Sequence, residues 1–332
     1  MRPRPREPSP AQVLDALLDR SIVFSFDRTG FRRHARGFVR GELDVRGEGR
    51  TAVVTGASSG LGVEIARGLL ERGLDVILAV RDVEKGERVR SAFGALAARA
   101  RVERLDVGEL ASVRAFSARI GGARLDVLVH NAGSLLERRT HTSEGLETTL
   151  AVHLVGPVAL SHGLWGALGR SADARIVHVC SGGLYAVPLD VGALFDERDD
   201  APFDGPRRYA LAKRAQLVVT EEIAARAVRA RLPITSSAMH PGWADTPGVR
   251  SALPRFHALT RRILRTPAQG ADTALFLALA ARAREANGRF YFDRAPAPVH
   301  LRTSTKEPPG ERARLWARLE EAAGLPPDAF EA

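Results

Sequence analysis

The segment RTAVVTGASSGLGVEIARGLL, residues 50–70, joins an apolar run to a glycine-rich turn and then to a helical pattern. Residues 50–55 are largely apolar and β-branched, which predicts a short buried strand. The turn carries Gly56, Gly60 and Gly62, and glycine lets the backbone turn tightly and approach a ligand without Cβ clashes. The start of a helix offers unpaired N–H groups and partial positive charge to anions. The segment therefore predicts a strand, a phosphate-binding turn and a helix.

The same alternation of strand and helix patterns continues along the chain. Strand patterns follow at residues 75–80, 100–107, 125–133, 175–181, 234–242 and 288–292, and helical patterns lie near residues 63–73, 84–99, 109–120, 145–169, 208–230, 266–283 and 309–323. This alternation is typical of an α/β fold, here a Rossmann-type doubly wound parallel sheet of about seven strands flanked by helices. We expect a single catalytic domain at residues 49–296, an N-terminal extension at 1–48 with a disordered start, and a tail with a helix at 297–332.

Composition limits the class of protein. Lys and Arg number 49 against 39 acidic residues, a net charge of +10, yet only Lys85, Lys213 and Lys306 are lysine. The arginines are scattered over every segment, which favours a general arginine bias over a nucleic-acid-binding face. The less favoured alternative, a DNA-binding protein, would show steeply salt-dependent affinity. No apolar run approaches the roughly 20 residues of a membrane span. A single cysteine, Cys180, suits a reducing, cytoplasmic compartment, and no metal site is predicted.

The turn and the strand after it indicate which nucleotide binds. The spacing G-x-x-x-G-x-G differs from the G-x-G-x-x-G fingerprint, and it lacks the G-K-[ST] that an ATPase would carry. The first residue after the second strand is Arg81, with Asp82 behind it. Arginine suits the 2′-phosphate of NADP(H), whereas an acidic residue would suit the 2′-hydroxyl of NAD(H). We therefore favour NADP(H), with Ser58 adding a contact to the same phosphate. The alternative is that Arg81 is an ordinary surface residue.

Six motifs resemble, in order and spacing, those of the short-chain dehydrogenase/reductases. They are TGASSGLG (55–62), LDV (105–107), NAG (131–133), VCSGG (179–183), YALAK (209–213) and HPGWADT (240–246). Further stretches in the leader and in the C-terminal half resemble one subgroup of that family. The resemblance implies an oxidoreductase that transfers a hydride between a nicotinamide and a carbonyl or alcohol carbon.

Tyr209 and Lys213 resemble the catalytic pair of that family. The resemblance implies that Tyr209 exchanges a proton with the substrate oxygen, that Lys213 holds the nicotinamide ribose, and that Ser181 orients the carbonyl. The i, i+4 spacing places Tyr209 and Lys213 on one helix face, where the ammonium is expected to lower the pKa of the phenol from about 10. In a chain with three lysines, retention of Lys213 supports this role, because a planar guanidinium would do the task poorly.

The same resemblance supplies most of the remaining cofactor contacts. The predicted set is Gly56, Ser58, Ser59, Gly60, Leu61, Gly62, Arg81, Asp106, Val107, Asn131, Ala132, Gly133, Tyr209, Lys213, Pro241, Gly242 and Thr246.

The chain departs from the family at His153, where members usually have Asn. This histidine could hold a water or shuttle a proton, could mark a weakened proton relay, or could be a hydrogen-bonded core residue. We include His153 among the catalytic candidates. A weakened relay would suit a rival function, a non-enzymatic NADP(H)-binding regulator or scaffold. A second departure, His130 before Asn131, is interpreted as structural.

Two segments bear on the substrate. Residues 247–266 correspond to the substrate lid of the family, and their apolar residues stand beside few acids. That favours a hydrophobic carbonyl or alcohol, although an apolar lid could instead pack on the core. Residues 184–208, between Ser181 and Tyr209, are expected to loop over the mouth of the site. Tyr185 and Phe203 are either substrate contacts or packing residues.

The leader, residues 11–38, places apolar residues before a group of arginines. That order suits a helix lying on an anionic membrane surface. The segment could equally dock on the core or on a second subunit. The family resemblance suggests a homo-oligomer formed through the helices near 145–169 and 208–230.

Overall fold

The computed structural model describes residues 18–19, 22–196, 198, 202–327 and 329–330. The predicted disordered start, residues 11–17 of the leader and residues 199–201 of the predicted loop lie outside them. The strands are β1 (Thr51–Thr55), β2 (Asp75–Val80), β3 (Ala100–Arg104), β4 (Val127–His130), β5 (Ala174–Val179), β6 (Ile234–Met239), β7 (Phe290–Phe292) and β8 (Ala295–Pro296). The helices are α1 (Ile22–Phe26), α2 (Arg28–His34), α3 (Gly60–Glu71), α4 (Val83–Ser91), α5 (Leu110–Ile120), α6 (Thr148–Leu150), α7 (Gly156–Gly163), α8 (Trp165–Gly169), α9 (Val191–Leu194), α10 (Gly205–Arg229), α11 (Pro247–Ala252), α12 (Pro254–Thr260), α13 (Pro267–Leu279) and α14 (Glu311–Ala323).

These strands form one sheet in the order β3-β2-β1-β4-β5-β6-β7-β8. β1 to β7 are parallel, which confirms the predicted doubly wound sheet. β8 pairs antiparallel with β7 and was not predicted, because its two residues carry no periodic pattern. The strand order reverses between β1 and β4, and ligands of open α/β sheets bind at the carboxyl ends of strands beside such a reversal. The topology therefore places a binding crevice above β1 and β4.

Helices cover both faces of the sheet. Val53 of β1 joins Phe116 of α5 and Leu315 of α14 in one hydrophobic cluster. The next residue, Val54, joins Leu69 of α3 in a second cluster on the opposite face. Successive side chains of a strand point to opposite faces, so β1 contributes to both cores. Leu315, Trp316 and Leu319 of the C-terminal helix are buried in the first of these clusters. Within the described residues, no helix is long and apolar enough to cross a bilayer.

Three predicted helices differ in detail. The helix predicted at 84–99 ends at Ser91 and continues as a 3₁₀ turn, Gly94–Arg99, where Gly94 has a φ of +60° that an α-helix does not allow. The pattern at 145–169 is divided into α6, α7 and α8, with a π turn at Ala151–Val155. Such turns are rare and are frequent at functional sites. The described part of the leader forms the two short helices α1 and α2.

Candidate active site

Close packing explains the glycines of the phosphate-binding turn. Gly56 has a φ of +66°, and a Cβ placed on it would lie 2.9 Å from Ala132 Cα. A Cβ on Gly62 would lie 2.5 Å from Gly56 O and 2.6 Å from Asn131 Nδ2. Real Cβ atoms do not approach that closely, so the first turn of α3 and the end of β4 can meet only with glycine at both positions.

Thr55 and Asn131 hold the two loops together. The Asn131 side-chain amide donates to Thr55 O at 2.9 Å, and the Thr55 hydroxyl accepts from the backbone N–H groups of Asn131 and Ala132, both at 3.0 Å. Thr55 was not predicted as a functional residue. Its place in TGASSGLG, at the end of β1, is the signal that could have identified it.

The start of α3 fits an anionic group. Ser59 is the N-cap, but its side chain makes no capping hydrogen bond, so the first-turn N–H groups are left to a ligand. Ser58, Gly60 and Leu61 are partly exposed on the same turn. Gly60 lies against Thr246, since a Cβ on Gly60 would be 3.3 Å from Thr246 Cβ. These residues suit the pyrophosphate of a dinucleotide.

Arg81 and Asp82 follow β2, and their side chains differ in the contacts they make. Asp82 caps α4, and its carboxylate accepts the Lys85 N–H at 2.9 Å. Arg81 is exposed, and its guanidinium has no hydrogen bond or ion pair within the part of the chain that the structure describes. The carboxylate of the next residue is therefore engaged, while the cation is available to a ligand.

Asp106 and Val107 follow β3 beside the crevice. Asp106 is partly exposed and accepts the Gly108 N–H at 3.0 Å. Val107 is buried, and Gly156 at the start of α7 packs directly on it, since a Cβ on Gly156 would be 2.8 Å from Val107 Cγ1.

Tyr209 and Ser181 meet at the open side of the crevice. Tyr209 lies on α10 and is partly exposed, and the Ser181 side chain is near enough to its hydroxyl to lower its pKa. Ser181 follows β5 and caps a 3₁₀ turn, accepting the Gly183 N–H at 3.3 Å. Two hydroxyl groups from neighbouring elements therefore lie side by side, where both can contact one substrate oxygen.

Lys213 lies one helical turn from Tyr209, with its Nζ 5.4 Å from the centroid of the phenol ring. Its ammonium donates to Val179 O at 2.8 Å and to Gln216 Oε1 at 3.0 Å. Burial lowers the pKa of Lys213 to about 8. The remaining N–H of the ammonium is the one that can reach a ribose hydroxyl.

The expected lowering of the tyrosine pKa is wrong for this structure. Burial raises the pKa of Tyr209 to about 12, and the nearby Ser181 side chain opposes that shift. The Lys213 ammonium does not reverse it, because that group is bonded to Val179 O and Gln216 instead of the phenol oxygen. At neutral pH the phenol is therefore protonated and is an acid, not a base.

Gln216 is a site residue that the sequence patterns did not reveal. It is buried, three residues after Lys213 on α10, and its Nε2 donates to His153 O at 2.9 Å. The amide thus joins the ammonium of Lys213 to the backbone of the π turn. A polar side chain on the buried face of a helix, one turn after the lysine, is the signal that could have identified it.

His153 lies in the π turn and contacts the candidate catalytic residue. Its ring packs edge-on against Tyr209 at 5.3 Å between centroids, and its Nε2 is 2.8 Å from Ser134 O. A Cβ on Gly133 would be 2.7 Å from His153 Cε1, so this glycine makes room for the ring. Burial lowers the pKa of His153 to about 3. The imidazole is therefore neutral at pH 7 and touches Tyr209 without carrying charge.

His130 is buried away from the crevice surface. Its Nε2 lies 2.8 Å from Ser161 Oγ, and its ring stacks on His178 of the neighbouring strand at 4.8 Å between centroids. These contacts agree with a structural role.

The segment between Ser181 and Tyr209 packs partly on the domain. Leu189, Val191 and Leu194 are buried in the hydrophobic core. Tyr185 donates its hydroxyl to Pro298 O at 2.8 Å, and Phe203 lies 5.6 Å from the Arg139 guanidinium. These contacts favour the packing role for Tyr185 and Phe203, and a loop over the mouth of the site stays a prediction.

The turn after β6 leads into the lid. Gly242 has a φ of +70°, and a Cβ on it would be 2.7 Å from Phe26 O. Pro241 and Thr246 are partly exposed, and Thr246 caps α11 by accepting the Val249 N–H at 3.3 Å. The turn therefore faces the crevice on one side and the leader on the other.

Comparison with known proteins gives one consistent result. Residues 50–189 match the family model described as short chain dehydrogenase. The chain is 37% identical over 317 residues to dehydrogenase/reductase SDR family member 12 of Homo sapiens, covering 92% of this chain and 98% of that protein. It is 34% identical over 288 residues to retinol dehydrogenase 12 of Bos taurus, covering 85% and 89%. A crystal structure from Beutenbergia cavernae, described as an NAD(P) dependent gluconate 5-dehydrogenase with bound NADP, has a TM-score of 0.58 at 25% identity, covering 73% of this chain and 94% of that one.

Proposed function

The chain belongs to the short-chain dehydrogenase/reductase family, and on this premise we propose that it is an NADP(H)-dependent oxidoreductase that reduces lipophilic carbonyl compounds. The family membership inferred from the six motifs is confirmed by the 37% identity over 92% of the chain. The observation that carries the proposal is that Ser181, Tyr209 and Lys213 lie together at the carboxyl edge of the sheet, with Lys213 Nζ 5.4 Å from the centroid of the Tyr209 ring.

Each of these residues has a distinct task in the proposed reaction. The bound cofactor supplies the hydride that the carbonyl carbon receives. The protonated Tyr209 hydroxyl gives its proton to the carbonyl oxygen, which completes the alcohol and leaves a phenolate. Ser181 donates a hydrogen bond to the same oxygen, and the Lys213 ammonium stabilises the phenolate. Because the pKa of Tyr209 is raised to about 12, the hydroxyl carries the proton that the reduction requires over the physiological range.

The preference for NADP(H) over NAD(H) is supported by the end of β2. Arg81 is exposed, whereas Asp82 is occupied in capping α4. A guanidinium recognises a phosphate through charge-assisted hydrogen bonds that a ribose hydroxyl cannot match. Ser58, beside the same turn, would contribute a hydroxyl group.

The lipophilic substrate is supported by the lid. Three apolar side chains of the lid are only partly buried and so offer apolar surface next to the crevice. They are Val249 of α11, Leu253 between α11 and α12, and Phe256 of α12. A similar protein of Bos taurus is named a retinol dehydrogenase, and its substrate is an apolar alcohol. The two observations together favour a hydrophobic aldehyde, ketone or quinone.

Peripheral membrane contact through residues 11–38, a cytoplasmic location and a homo-oligomer remain predictions. Exposed Ile22, Val23 and Phe24 at the described start of the leader support membrane contact. Co-sedimentation with anionic vesicles and sedimentation equilibrium would test the membrane contact and the oligomer.

The decisive experiment compares the wild type with Tyr209→Phe. We expect the purified protein to bind NADPH more tightly than NADH and to oxidise NADPH in a screen of hydrophobic aldehydes, ketones and quinones. Tyr209→Phe should lower turnover by about 1000-fold, as loss of a general acid does, while NADPH affinity is retained. Tyr291→Phe on β7 is the matched control and should keep activity. Turnover that survives in Tyr209→Phe would refute the mechanism.

The rival function is a non-enzymatic NADP(H)-binding regulator or scaffold. It predicts NADPH binding without turnover of any compound in the screen. His153→Asn separates the two functions, because the histidine ring touches Tyr209. In an enzyme the substitution should change turnover several-fold, whereas a regulator has no turnover to change.

A further inference from the structure

The leader is fastened to the substrate side of the crevice at two points. The part of the leader that docks here is residues 22–37, and the helical part of the lid is residues 247–262. Phe26 O accepts the Trp243 N–H at 2.8 Å, just before the lid. The Arg28 N–H donates to Ile263 O at 2.8 Å, and its Nε donates to Leu264 O at 3.0 Å, just after the lid. The leader therefore holds both ends of the lid.

A buried arginine, Arg265, binds this part of the leader to the rest of the domain. Arg265 is 1% exposed and forms a two-point ion pair with Asp293, at 2.5 and 2.8 Å. Its other N–H groups donate to three leader carbonyls, Ser25 O at 2.9 Å, Phe26 O at 2.8 Å and Asp27 O at 3.1 Å. Without the leader, these donors would lose three carbonyl partners, which is costly for a charged group. This part of the leader is therefore a component of the domain and not a free arm.

The side chain of Phe26 connects Ser181 to the lid. Phe26 is 8% exposed, and a Cβ on Gly182, the residue after Ser181, would be 2.7 Å from Phe26 Cε2. The Phe26 ring packs edge-on against Trp243 at 6.2 Å, and Trp243 packs edge-on against Phe256 of the lid at 5.1 Å between centroids. A row of aromatic rings thus runs from the backbone beside Ser181 to the inner face of α12.

We infer that Phe26 is a positioning residue of the substrate site and that the leader sets the width of the cleft between Ser181 and the lid. This inference rests on the proposed function, since it assigns a role in admitting the carbonyl substrate. A shorter side chain at position 26 removes the support under Gly182 and Trp243, so the lid loses its fixed distance from Ser181. Bulky apolar substrates that contact both walls lose more affinity than small ones, and the phosphate-binding turn is unaffected.

The test compares Phe26→Leu with Phe24→Leu. The two substitutions make the same chemical change two residues apart, but Phe24 is 50% exposed and outside the aromatic row. For the best bulky substrate of the screen, Phe26→Leu should raise KM about tenfold, the usual effect of a poorly filled apolar contact, with NADPH affinity and kcat changed less than about twofold. Phe26→Met, whose unbranched and flexible side chain can extend into the space of the ring and contact aromatic neighbours, should recover most of the loss. An unchanged KM, or an equal change in Phe24→Leu, would overturn the inference.

Amide hydrogen exchange gives a second readout that needs no substrate. Phe26→Leu should speed exchange in residues 247–262 about tenfold and leave residues 56–62 unchanged, because a less supported segment opens more often. Unchanged exchange in the lid would overturn the inference. If the wild type shows no turnover, the proposed function fails, and the exchange result still decides whether the leader positions the lid.

Discussion

On the cofactor side of the crevice, Gly56 and Gly62 lie against Ala132 and Asn131 through backbone atoms and one side-chain amide. On the substrate side, Arg265 binds carbonyl groups of the leader that are about 240 positions away in the chain. The first contact depends on residues that must be small at given positions, and a motif records them. The second depends on segments that meet only after the sheet has formed. The two walls of one crevice therefore differ in how directly the chain specifies them.

The largest expected change in cofactor affinity concerns the cofactor side of the crevice. In Gly62→Ala the new Cβ would lie 2.5 Å from Gly56 O, so the turn must move away from β4. We expect NADPH affinity to fall about 100-fold, or about 2.7 kcal/mol, in a titration that follows protein fluorescence. Gly122→Ala is the matched control, because nothing lies within 4 Å of its Cβ. Unaltered NADPH binding in Gly62→Ala would mean that the turn does not determine the cofactor site.

A smaller loss of NADPH affinity is expected at Arg81, whose side chain is proposed to contact the cofactor. Arg81→Ser should weaken NADPH binding about tenfold, the value of one charge-assisted contact, and leave NADH binding unchanged. Arg88→Ser, an exposed arginine on the next helix, serves as the control. Equal weakening for both cofactors would show that Arg81 does not read the 2′-phosphate.

Gln216→Glu tests whether the neighbouring amide on α10 tunes the pKa of the candidate catalytic lysine. The carboxylate would stand where an amide oxygen now lies, 3.0 Å from Lys213 Nζ, and would raise the lysine pKa above its value of about 8. Three other groups interact electrostatically with this ammonium and keep their side chains in the variant: His153, His178 and Cys180.

We expect the alkaline limb of the pH profile of kcat/KM to move upward by about one unit. Gln269→Glu, in the capping box of α13, is the control and should leave the profile in place. A profile that does not move in Gln216→Glu would separate Gln216 from the reaction.

The smallest effect concerns the leader and pH. Burial alone would lower the pKa of His34, but hydrogen bonds and charges from Asp293 and Asp19 raise it overall. A raised pKa in the folded state means that protonated His34 stabilises the docked leader fully below about pH 6.5. The stabilisation is lost as the pH rises through the folded-state pKa.

Thermal unfolding at pH 6 and pH 8.5 should therefore differ between the wild type and His34→Gln. The extra stability of the wild type at pH 6 should be less than about 1 kcal/mol and should vanish at pH 8.5. A difference that is the same at both pH values would show that the charge of His34 does not contribute.

The sheet and the glycine-rich turn after β1 were predictable because they follow from local patterns. Strand residues such as Val53 and Val54 alternate between the two cores, and Gly56 requires a backbone conformation that other residues rarely adopt. The Tyr209–Lys213 pair was also predictable, since a fixed spacing on a helix places two side chains on one face. The ends of elements were less predictable, as Gly94 and the π turn around His153 show.

The alternation of apolar strands and helices, with glycines at the first turn, was enough to specify a doubly wound sheet and the place of its crevice. The protonation of Tyr209, the hydrogen bond from Gln216 to His153 O and the docking of Phe26 beside Ser181 were decided by tertiary structure alone. Local patterns encode backbone conformation and the face that each side chain presents. A pKa depends on burial and on charged neighbours, and a long-range contact depends on which segments the completed fold brings together.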